Sequence, residues 1–139
     1  MSIKVLIADD TDIMREAMRK VIEKEPLIEI VGEATTFGQT MQAIVDFKPD
    51  VLLLDLHLAE KRDFSAALVK SQLVSVDHVL AVSFSNDAEA RDLAEAYGAK
   101  LLLDKMKLFS DLVPAILDCD TKADDFASRE ATSEGLQAS

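Results

Sequence analysis

Five short apolar runs alternate with segments of helical periodicity along most of this chain. The runs are rich in Val, Ile, Leu and Ala, and they cover about residues 3–8, 28–34, 51–54, 78–82 and 100–103. Continuous apolar runs of this length, separated by helical patterns, are typical of strands buried in a parallel sheet. The sequence therefore predicts an α/β fold of five strand–helix repeats, with helices on both faces of the sheet.

Capping and helix-breaking residues delimit the predicted helices. An N-terminal cap is expected at Thr11 or Asp12 for the first helix and at Asp63 for the third. The second helix is expected to start near Thr36 and the fourth near Asn86-Asp87. The C-terminal ends are expected at Glu25-Pro26, Lys48-Pro49-Asp50 and Tyr97-Gly98, where the glycine suits a left-handed cap. A fifth helix is expected over about residues 110–118, with Pro114 in or near its first turn.

Helical spacing also predicts which side chains of the first three helices face the core. The predicted inward set is Ile13, Met14, Ala17, Met18, Val21, Ile22, Met41, Ile44, Val45, Phe64, Ala67 and Leu68.

Polar side chains follow four of the five strands, at the point where each strand ends. These are Asp9-Asp10, Asp55, Ser83 and Asp104-Lys105. Ligands of open parallel sheets bind beyond the carboxyl ends of the strands, so these groups are expected at one edge. Three carboxylates, a hydroxyl and an ammonium in one place can hold a divalent cation and a phosphoryl group.

The charges themselves indicate which chemistry this cluster supports. Two like charges about 4 Å apart repel by about 4 kcal/mol at an effective dielectric constant of about 20. Converging carboxylates therefore favour a bound cation, and Mg²⁺ accepts carboxylate, carbonyl and water ligands. A carboxylate at such a site can attack phosphorus to form an acyl phosphate. Lys105 and the Ser83 hydroxyl are then candidates to hold the phosphoryl oxygens.

Composition narrows the classes of function. The chain has 139 residues, enough for one domain, and a net charge of −11, which disfavours direct binding to nucleic acid or anionic membranes. The single Cys119 permits no intrachain disulfide, so a cytoplasmic location is expected. No glycine-rich nucleotide-binding motif is present. Residues 119–139 are expected to form an acidic, flexible tail or a truncated linker.

With these residues in this order, the chain resembles the receiver domain of bacterial two-component response regulators. The resemblance covers about residues 3–118 and predicts a receiver domain over residues 1–118. Its acidic pair corresponds to Asp9-Asp10 in Val-Leu-Ile-Ala-Asp-Asp, and its phosphoacceptor to Asp55 in Val-Leu-Leu-Leu-Asp-Leu. Its switch hydroxyl corresponds to Ser83 and its lysine to Lys105. The resemblance implies a flavodoxin-like (βα)5 fold with strand order 2-1-3-4-5.

The same resemblance implies roles for the site residues. Asp10 and Asp55 would bind Mg²⁺ directly, Asp9 would bind it through water, and the backbone carbonyl of His57 would complete the protein ligands. Asp55 would accept phosphate from a sensor histidine kinase or a phosphotransfer protein. The chain would then be a signalling phosphoacceptor that assists its own phosphorylation and dephosphorylation, rather than an enzyme. A downstream protein partner would bind the face formed by helix 4, strand 5 and helix 5.

Five positions depart from the usual family pattern. They are Ala59 for proline, Asp63 for glycine, Phe84 for a small residue, Leu102 for the switch aromatic and Met106 for proline. Leu102 has no polar end to carry from the surface to the core, so signalling is expected to use a backbone shift of the loop after strand 4. Phe84 is expected to cover the acyl phosphate and to hinder an attacking water.

Two alternative functions are compatible with the sequence. The segment Asp10-Thr11-Asp12 also fits the D-x-D motif of haloacid-dehalogenase-like phosphatases, in which the first aspartate is the nucleophile. The other alternative is a receiver-like module that binds a partner without being phosphorylated, which the unusual residues Phe84 and Leu102 would suit.

Overall fold

The computed structural model describes residues 2–58 and 65–119, in which five strands alternate with five helices. The strands are β1 (Ile3–Ala8), β2 (Ile28–Ala34), β3 (Val51–Asp55), β4 (His78–Ser83) and β5 (Leu101–Asp104). The helices are α1 (Asp12–Ile22), α2 (Phe37–Phe47), α3 (Ala66–Leu73), α4 (Ala88–Ala96) and α5 (Leu108–Cys119). A 3₁₀ turn at Lys105–Lys107 joins β5 to α5. Among the described helices, none has the length and apolar character needed to span a bilayer.

The five strands form one parallel sheet in the order β2-β1-β3-β4-β5. This confirms the flavodoxin-like fold and the predicted strand order. In the register of the sheet, Ala8 pairs with Leu54, Asp55 with Val82 and Ser83 with Asp104. The carboxyl ends of β1, β3, β4 and β5 are therefore level, and the residues that follow them meet at one edge.

Alternating side chains of the strands supply two cores, one on each face of the sheet. In β3, Leu52 and Leu54 face a core that α2, α3 and α4 cover, whereas Val51 and Leu53 face a core that α1 and α5 cover. All five residues of β3 are buried. Burial of one such aliphatic side chain contributes about 1.5–3 kcal/mol, so the central strand is firmly anchored and fixes its last residue, Asp55.

The capping residues explain where the helices begin and end. Helices α2 and α4 begin next to Thr36 and Asp87, as predicted. These two residues cap the helices by accepting hydrogen bonds from the backbone N–H groups of Gln39 (3.1 Å) and Ala90 (2.9 Å). Gly98 follows α4 with a φ of +87°, which confirms the left-handed cap. The predicted cap Asp63 and the predicted core residue Phe64 lie outside the described residues, as does Ala59.

Several predicted core positions of the first three helices are wrong. Ile13, Ala17, Val45, Ala67 and Leu68 are exposed. Met18 and Ile22, both in the predicted set, are the buried residues of α1, whereas the buried residues of α3 are Val69 and Leu73. Each helical residue is rotated about 100° from the next. The sequence therefore predicts a wider apolar face on each helix than the face that is buried against the sheet.

The predicted position of Pro114 in the first turn of the last helix is also wrong. Helix α5 begins at Leu108 and includes Cys119, so Pro114 lies in its interior. A proline there has no N–H to donate to the carbonyl of Ser110, and its ring crowds that carbonyl. The helix persists because four of its side chains, one per turn, are buried in the core: Leu108, Leu112, Ile116 and Cys119.

Replacing Pro114 with alanine should therefore stabilise the protein. Restoring the missing hydrogen bond outweighs the entropy that proline removes from the unfolded chain, so Pro114→Ala should raise the free energy of unfolding by about 1–2 kcal/mol. Urea unfolding followed by circular dichroism measures this change. Pro26→Ala, in the exposed connection before β2, is the matched control and should be neutral or slightly destabilising. A loss of stability in Pro114→Ala would contradict the prediction.

Candidate functional site

Three carboxylates converge at the carboxyl edge of the sheet. Asp9 and Asp10 directly follow β1, and Asp55 is the last residue of the adjacent strand β3. One oxygen from each carboxylate can be chosen so that all three lie within 4.8 Å of one another. The cluster that the strand ends predicted is therefore present in the fold.

Burial makes this concentration of charge unfavourable. Asp9 is fully buried and Asp55 is 6% exposed, while Asp10 is the most exposed of the three. Burial raises the pKa of the Asp55 carboxyl above its usual range, and the charge of Asp9 acts in the same direction. The Lys105 ammonium and the N–H of His57 oppose this rise without cancelling it. The site thus favours a bound cation or a neutral Asp55.

Lys105 supplies a cation from within the protein. Its Nζ lies 2.8 Å from Asp9 Oδ2 and 3.4 Å from Asp55 Oδ1, and its side chain is 6% exposed. Lys105 is placed there by the turn after β5, which Asp104 caps by accepting a hydrogen bond of 2.8 Å from the N–H of Met106. Asp104 therefore stabilises the turn and does not join the carboxylate cluster.

Local hydrogen bonds orient the two buried carboxylates. Asp9 Oδ1 accepts hydrogen bonds from both the backbone N–H and the hydroxyl of Thr11, each at 2.9 Å. Asp55 Oδ1 accepts one from the backbone N–H of His57 at 3.3 Å. Sequence reasoning assigned Thr11 only a possible capping role, yet its side chain bonds to Asp9 and makes no capping hydrogen bond in α1. The only sequence signal for this role is that Thr11 directly follows the acidic pair and lies two residues after Asp9.

The donor set fits Mg²⁺. The cluster offers only oxygen atoms, which a hard divalent cation prefers. Asp9 Oδ2 is buried and takes part in the ion pair with Lys105 but in no hydrogen bond, so it retains acceptor capacity for a metal-bound water. The side chain of His57 is exposed, and its backbone carbonyl is the group that the family resemblance implies as a ligand.

The three predicted switch positions are Ser83, Phe84 and Leu102, which lie in or directly after β4 and β5. Ser83 is the last residue of β4, is buried, and accepts a hydrogen bond of 3.0 Å at its Oγ from the N–H of Ser85. Phe84 is 62% exposed, and the centroid of its ring lies 5.1 Å from Lys105 Nζ. Leu102 is partly buried and packs against the core under α2, α3 and α4. The sequence does not predict the contact between Phe84 and Lys105, because the two residues follow different strands and their separation along the chain carries no sign of it.

Asp12, the second aspartate of the D-x-D alternative, points away from the site. Its side chain is 93% exposed and forms an ion pair with Arg15 one turn later. Among the described residues, only Asp9, Asp10 and Asp55 form an acidic cluster suited to a metal. The geometry therefore gives Asp10 no partner carboxylate at the position that a phosphatase of that class requires.

Known proteins similar to this chain share its site-bearing region. A family model described as the response regulator receiver domain matches residues 5–117. Protein-glutamate methylesterase/protein-glutamine glutaminase 2 of Shewanella oneidensis is 32% identical over 112 residues, which are 79% of this chain and 32% of that protein. Sensory transduction protein LytT of Enterococcus faecalis is 36% identical over 63 residues, which are 45% of this chain and 26% of that protein.

Solved structures agree with this assignment. The signal receiver domain of the putative response regulator NarL from Mycobacterium tuberculosis superimposes with a TM-score of 0.76 at 26% identity, over 88% of this chain and 98% of that one. The response regulator domain of Thermotoga maritima CheB gives 0.74 at 20% identity, over 88% and 99% of the two chains, and shows the shared fold. The chain matches only 26% and 32% of the length of these two curated relatives.

Neutralising Asp55 should stabilise the metal-free protein. Because the pKa of Asp55 is raised in the fold, ionisation of this group costs folding free energy, and the wild type loses stability as the pH rises through that pKa. Asp55→Asn should raise the free energy of unfolding in EDTA at pH 7 by about 1 kcal/mol. The gain should shrink toward about pH 3, which lies below the pKa of Asp55 in both the folded and the unfolded state, so that the group is mostly protonated in both. Thermal unfolding at the two pH values measures it.

The control for this comparison is Asp77→Asn. Asp77 is exposed and precedes β4, at the opposite edge of the sheet. Its replacement should change stability by less than about 0.5 kcal/mol at either pH. Equal effects of the two substitutions would show that the carboxylate cluster carries no unfavourable charge.

Proposed function

This chain belongs to the response regulator receiver domain family, and from that premise we propose that it accepts a phosphoryl group on Asp55 and thereby changes its affinity for a protein partner. The observation that supports this most directly is the position of Asp55. It is held at the end of the central buried strand, near Asp9 and Asp10, with Lys105 Nζ 3.4 Å from its Oδ1.

Each residue of the cluster has a proposed role. Asp55 is the nucleophile and phosphoacceptor. Asp10 and Asp55 are the direct ligands of Mg²⁺, Asp9 binds it through water, and the backbone carbonyl of His57 completes the protein ligands. When bound, Mg²⁺ supplies positive charge to the carboxylates and to the transferring phosphoryl group. The burial of Asp9 and Asp55 strengthens such electrostatic stabilisation, because little water competes there.

The proposed transfer starts from the phosphohistidine of a sensor histidine kinase or a phosphotransfer protein. An oxygen of Asp55 attacks phosphorus, the P–N bond breaks, and the electron pair stays on the imidazole nitrogen, which takes up a proton. The Lys105 ammonium and the Ser83 hydroxyl donate hydrogen bonds to the phosphoryl oxygens. The product is an acyl phosphate on Asp55, which the same groups hold until water hydrolyses it.

The signal is proposed to reach a protein partner at the face formed by α4, β5 and α5. Leu102 lies in β5 and is packed as an aliphatic core residue, so it has no aromatic ring to swing inward. A shift of the backbone around Ser83–Ser85 is the proposed route to α4, because Ser83 bonds to this loop directly. Direct binding to nucleic acid or membrane is not proposed, and the cytoplasmic location stays a prediction.

Neither alternative has comparable support. The exposed Asp12 argues against a phosphatase that uses Asp10. An unphosphorylated binding module would not require three converging carboxylates with a buried lysine, an arrangement that is costly to fold.

Mass spectrometry after treatment with acetyl phosphate and Mg²⁺ tests the phosphoacceptor. The wild type should gain one phosphate, and Asp55→Asn should gain none, because an amide cannot form the acyl phosphate. Asp12→Asn is the control and should gain phosphate as the wild type does, since Asp12 is exposed and outside the cluster. Phosphate retained in Asp55→Asn and traced to Asp10 would support the phosphatase reading instead.

Magnesium should stabilise the wild type through Asp10. Ligand that binds only the folded state at about a hundred times its dissociation constant adds about 2.7 kcal/mol to the free energy of unfolding. Asp10→Asn should lose most of this gain, because one of the two proposed direct carboxylate ligands becomes an amide. Unfolding curves with and without MgCl₂ measure the difference, with Asp12→Asn as the control. A full magnesium effect in Asp10→Asn would exclude Asp10 as a ligand.

A further inference from the structure

An exposed aromatic ring lies over the buried ammonium of the site. The ring centroid of Phe84 is 5.1 Å from Lys105 Nζ, which is within the range of a cation–π interaction. Phe84 is 62% exposed, whereas the Lys105 side chain is 6% exposed. Since Lys105 also contacts Asp9 and Asp55, the ammonium is held by two buried carboxylates and by the face of a surface ring.

Core packing does not account for the position of this ring. Phe84 belongs to neither of the two core clusters formed by the described residues, and most of its surface is open to solvent. The other cation–π pair of the described chain, Lys24 with Phe109 at 5.3 Å, joins two exposed residues. Such contacts are worth more when the cation is desolvated, so the contact with Lys105 is the stronger of the two.

We propose that Phe84 is a positioning residue for phosphoryl transfer, whose ring face holds the Lys105 ammonium in place beside Asp55. Phe84 also directly follows Ser83, so it links the position of the hydroxyl to the position of the ammonium. The proposal deepens the function proposed above and rests on it.

The distances indicate what the ring prevents. Lys105 Nζ is already closer to Asp9 Oδ2 (2.8 Å) than to Asp55 Oδ1 (3.4 Å). If the ring is removed, the Lys105 ammonium loses its contact with the aromatic face. Asp9 and water can then attract the ammonium away from Asp55 more easily. A phosphoryl group on Asp55 would then meet an ammonium that must first be reoriented, and reorientation at the moment of reaction lowers the rate.

The ring also supplies an aromatic contact at a place where β5 supplies none. The first three residues of β5 are Leu101, Leu102 and Leu103, which are aliphatic, and the fourth is the acid Asp104. The three leucines can respond to a change at Ser83 only through a change in packing. Movement of the Ser83 hydroxyl toward a phosphoryl group would carry the adjacent Phe84 with it. The contact between Phe84 and Lys105 therefore connects the ends of β4 and β5 through side chains at the site itself.

The experiment measures the rate at which Asp55 gains phosphate from acetyl phosphate and Mg²⁺. In that step an Asp55 oxygen bonds to phosphorus, and the P–O bond to the acetyl group breaks, so that acetate leaves with the electron pair. Four variants separate the ring face from its bulk: Phe84→Tyr and Phe84→Trp keep an aromatic face, Phe84→Leu keeps apolar bulk only, and Phe84→Ala removes both.

The leucine and alanine variants should be about fivefold slower than the wild type, and the tyrosine and tryptophan variants should be within about twofold of it. A factor of about five corresponds to about 1 kcal/mol, the size of one cation–π contact. Phe109→Leu removes the matched surface pair and should leave the rate unchanged. Loss of a contact of this size should lower the thermal midpoints of the leucine and alanine variants by only a few degrees, so all variants should stay folded at the assay temperature.

A second measurement needs no phosphate. The Hε protons of Lys105 should show an upfield ring-current shift by nuclear magnetic resonance in the wild type and in the two aromatic variants. The shift should be lost in Phe84→Leu and Phe84→Ala. A Lys105 spectrum that is the same in the wild type and in Phe84→Leu would overturn the proposal.

The remaining outcomes are distinct. If Phe84→Leu reacts like the wild type and only Phe84→Ala reacts faster, the side chain merely screens the site by its bulk, and the proposal is overturned. Equal rates for all variants would overturn it as well. If the wild type gains no phosphate on Asp55, the proposed function fails, and the Lys105 spectrum alone then decides whether Phe84 positions the ammonium.

Discussion

The ammonium of Lys105 and the buried carboxylates of Asp9 and Asp55 form the interaction on which the site depends. Asp9 is fully buried and Asp55 nearly so, and an uncompensated buried charge costs several kcal/mol. Lys105 provides the compensation from the far side of β4, with contacts of 2.8 and 3.4 Å. The ends of β1, β3 and β5 must therefore stay level for the charges to remain balanced.

This balance is incomplete, and the incompleteness has a chemical use. One ammonium faces three acidic groups, so the site keeps a net negative charge and the pKa of Asp55 is raised by burial. A second cation can be bound as well, because the cluster offers three carboxylates to a single ammonium. An arrangement that is unfavourable for folding is in this way suited to binding Mg²⁺ and a phosphoryl group.

The residues around the cluster distinguish this receiver domain from the usual pattern of its family. Leu102 is packed against the core, and the aromatic group near the switch hydroxyl is Phe84, which lies on the surface over Lys105. Leu102 packs well in β5 but has no polar group. Rotation of its side chain between surface and core would therefore carry no hydroxyl from one environment to the other. The cation–π contact provides a different physical link between the hydroxyl-bearing strand and the lysine-bearing turn.

The sequence by itself determined the five strands and the residues that end them, because buried parallel strands are continuous apolar runs and the polar residues stop each run. It also determined the starts of α2 near Thr36 and of α4 near Asp87 and the left-handed cap at Gly98, because helix ends depend on local backbone geometry. Only the tertiary structure decided which apolar residues of a helix touch the sheet. Ile13 and Val45 fit the helical period but lie on exposed parts of their helices. It also decided that Pro114 could stand inside α5, where core packing outweighs a lost hydrogen bond, and that Phe84 meets Lys105. That last contact joins the residues that directly follow β4 and β5, whose ends the register of the sheet makes level, and register is a property of the assembled sheet that no spacing along the chain records.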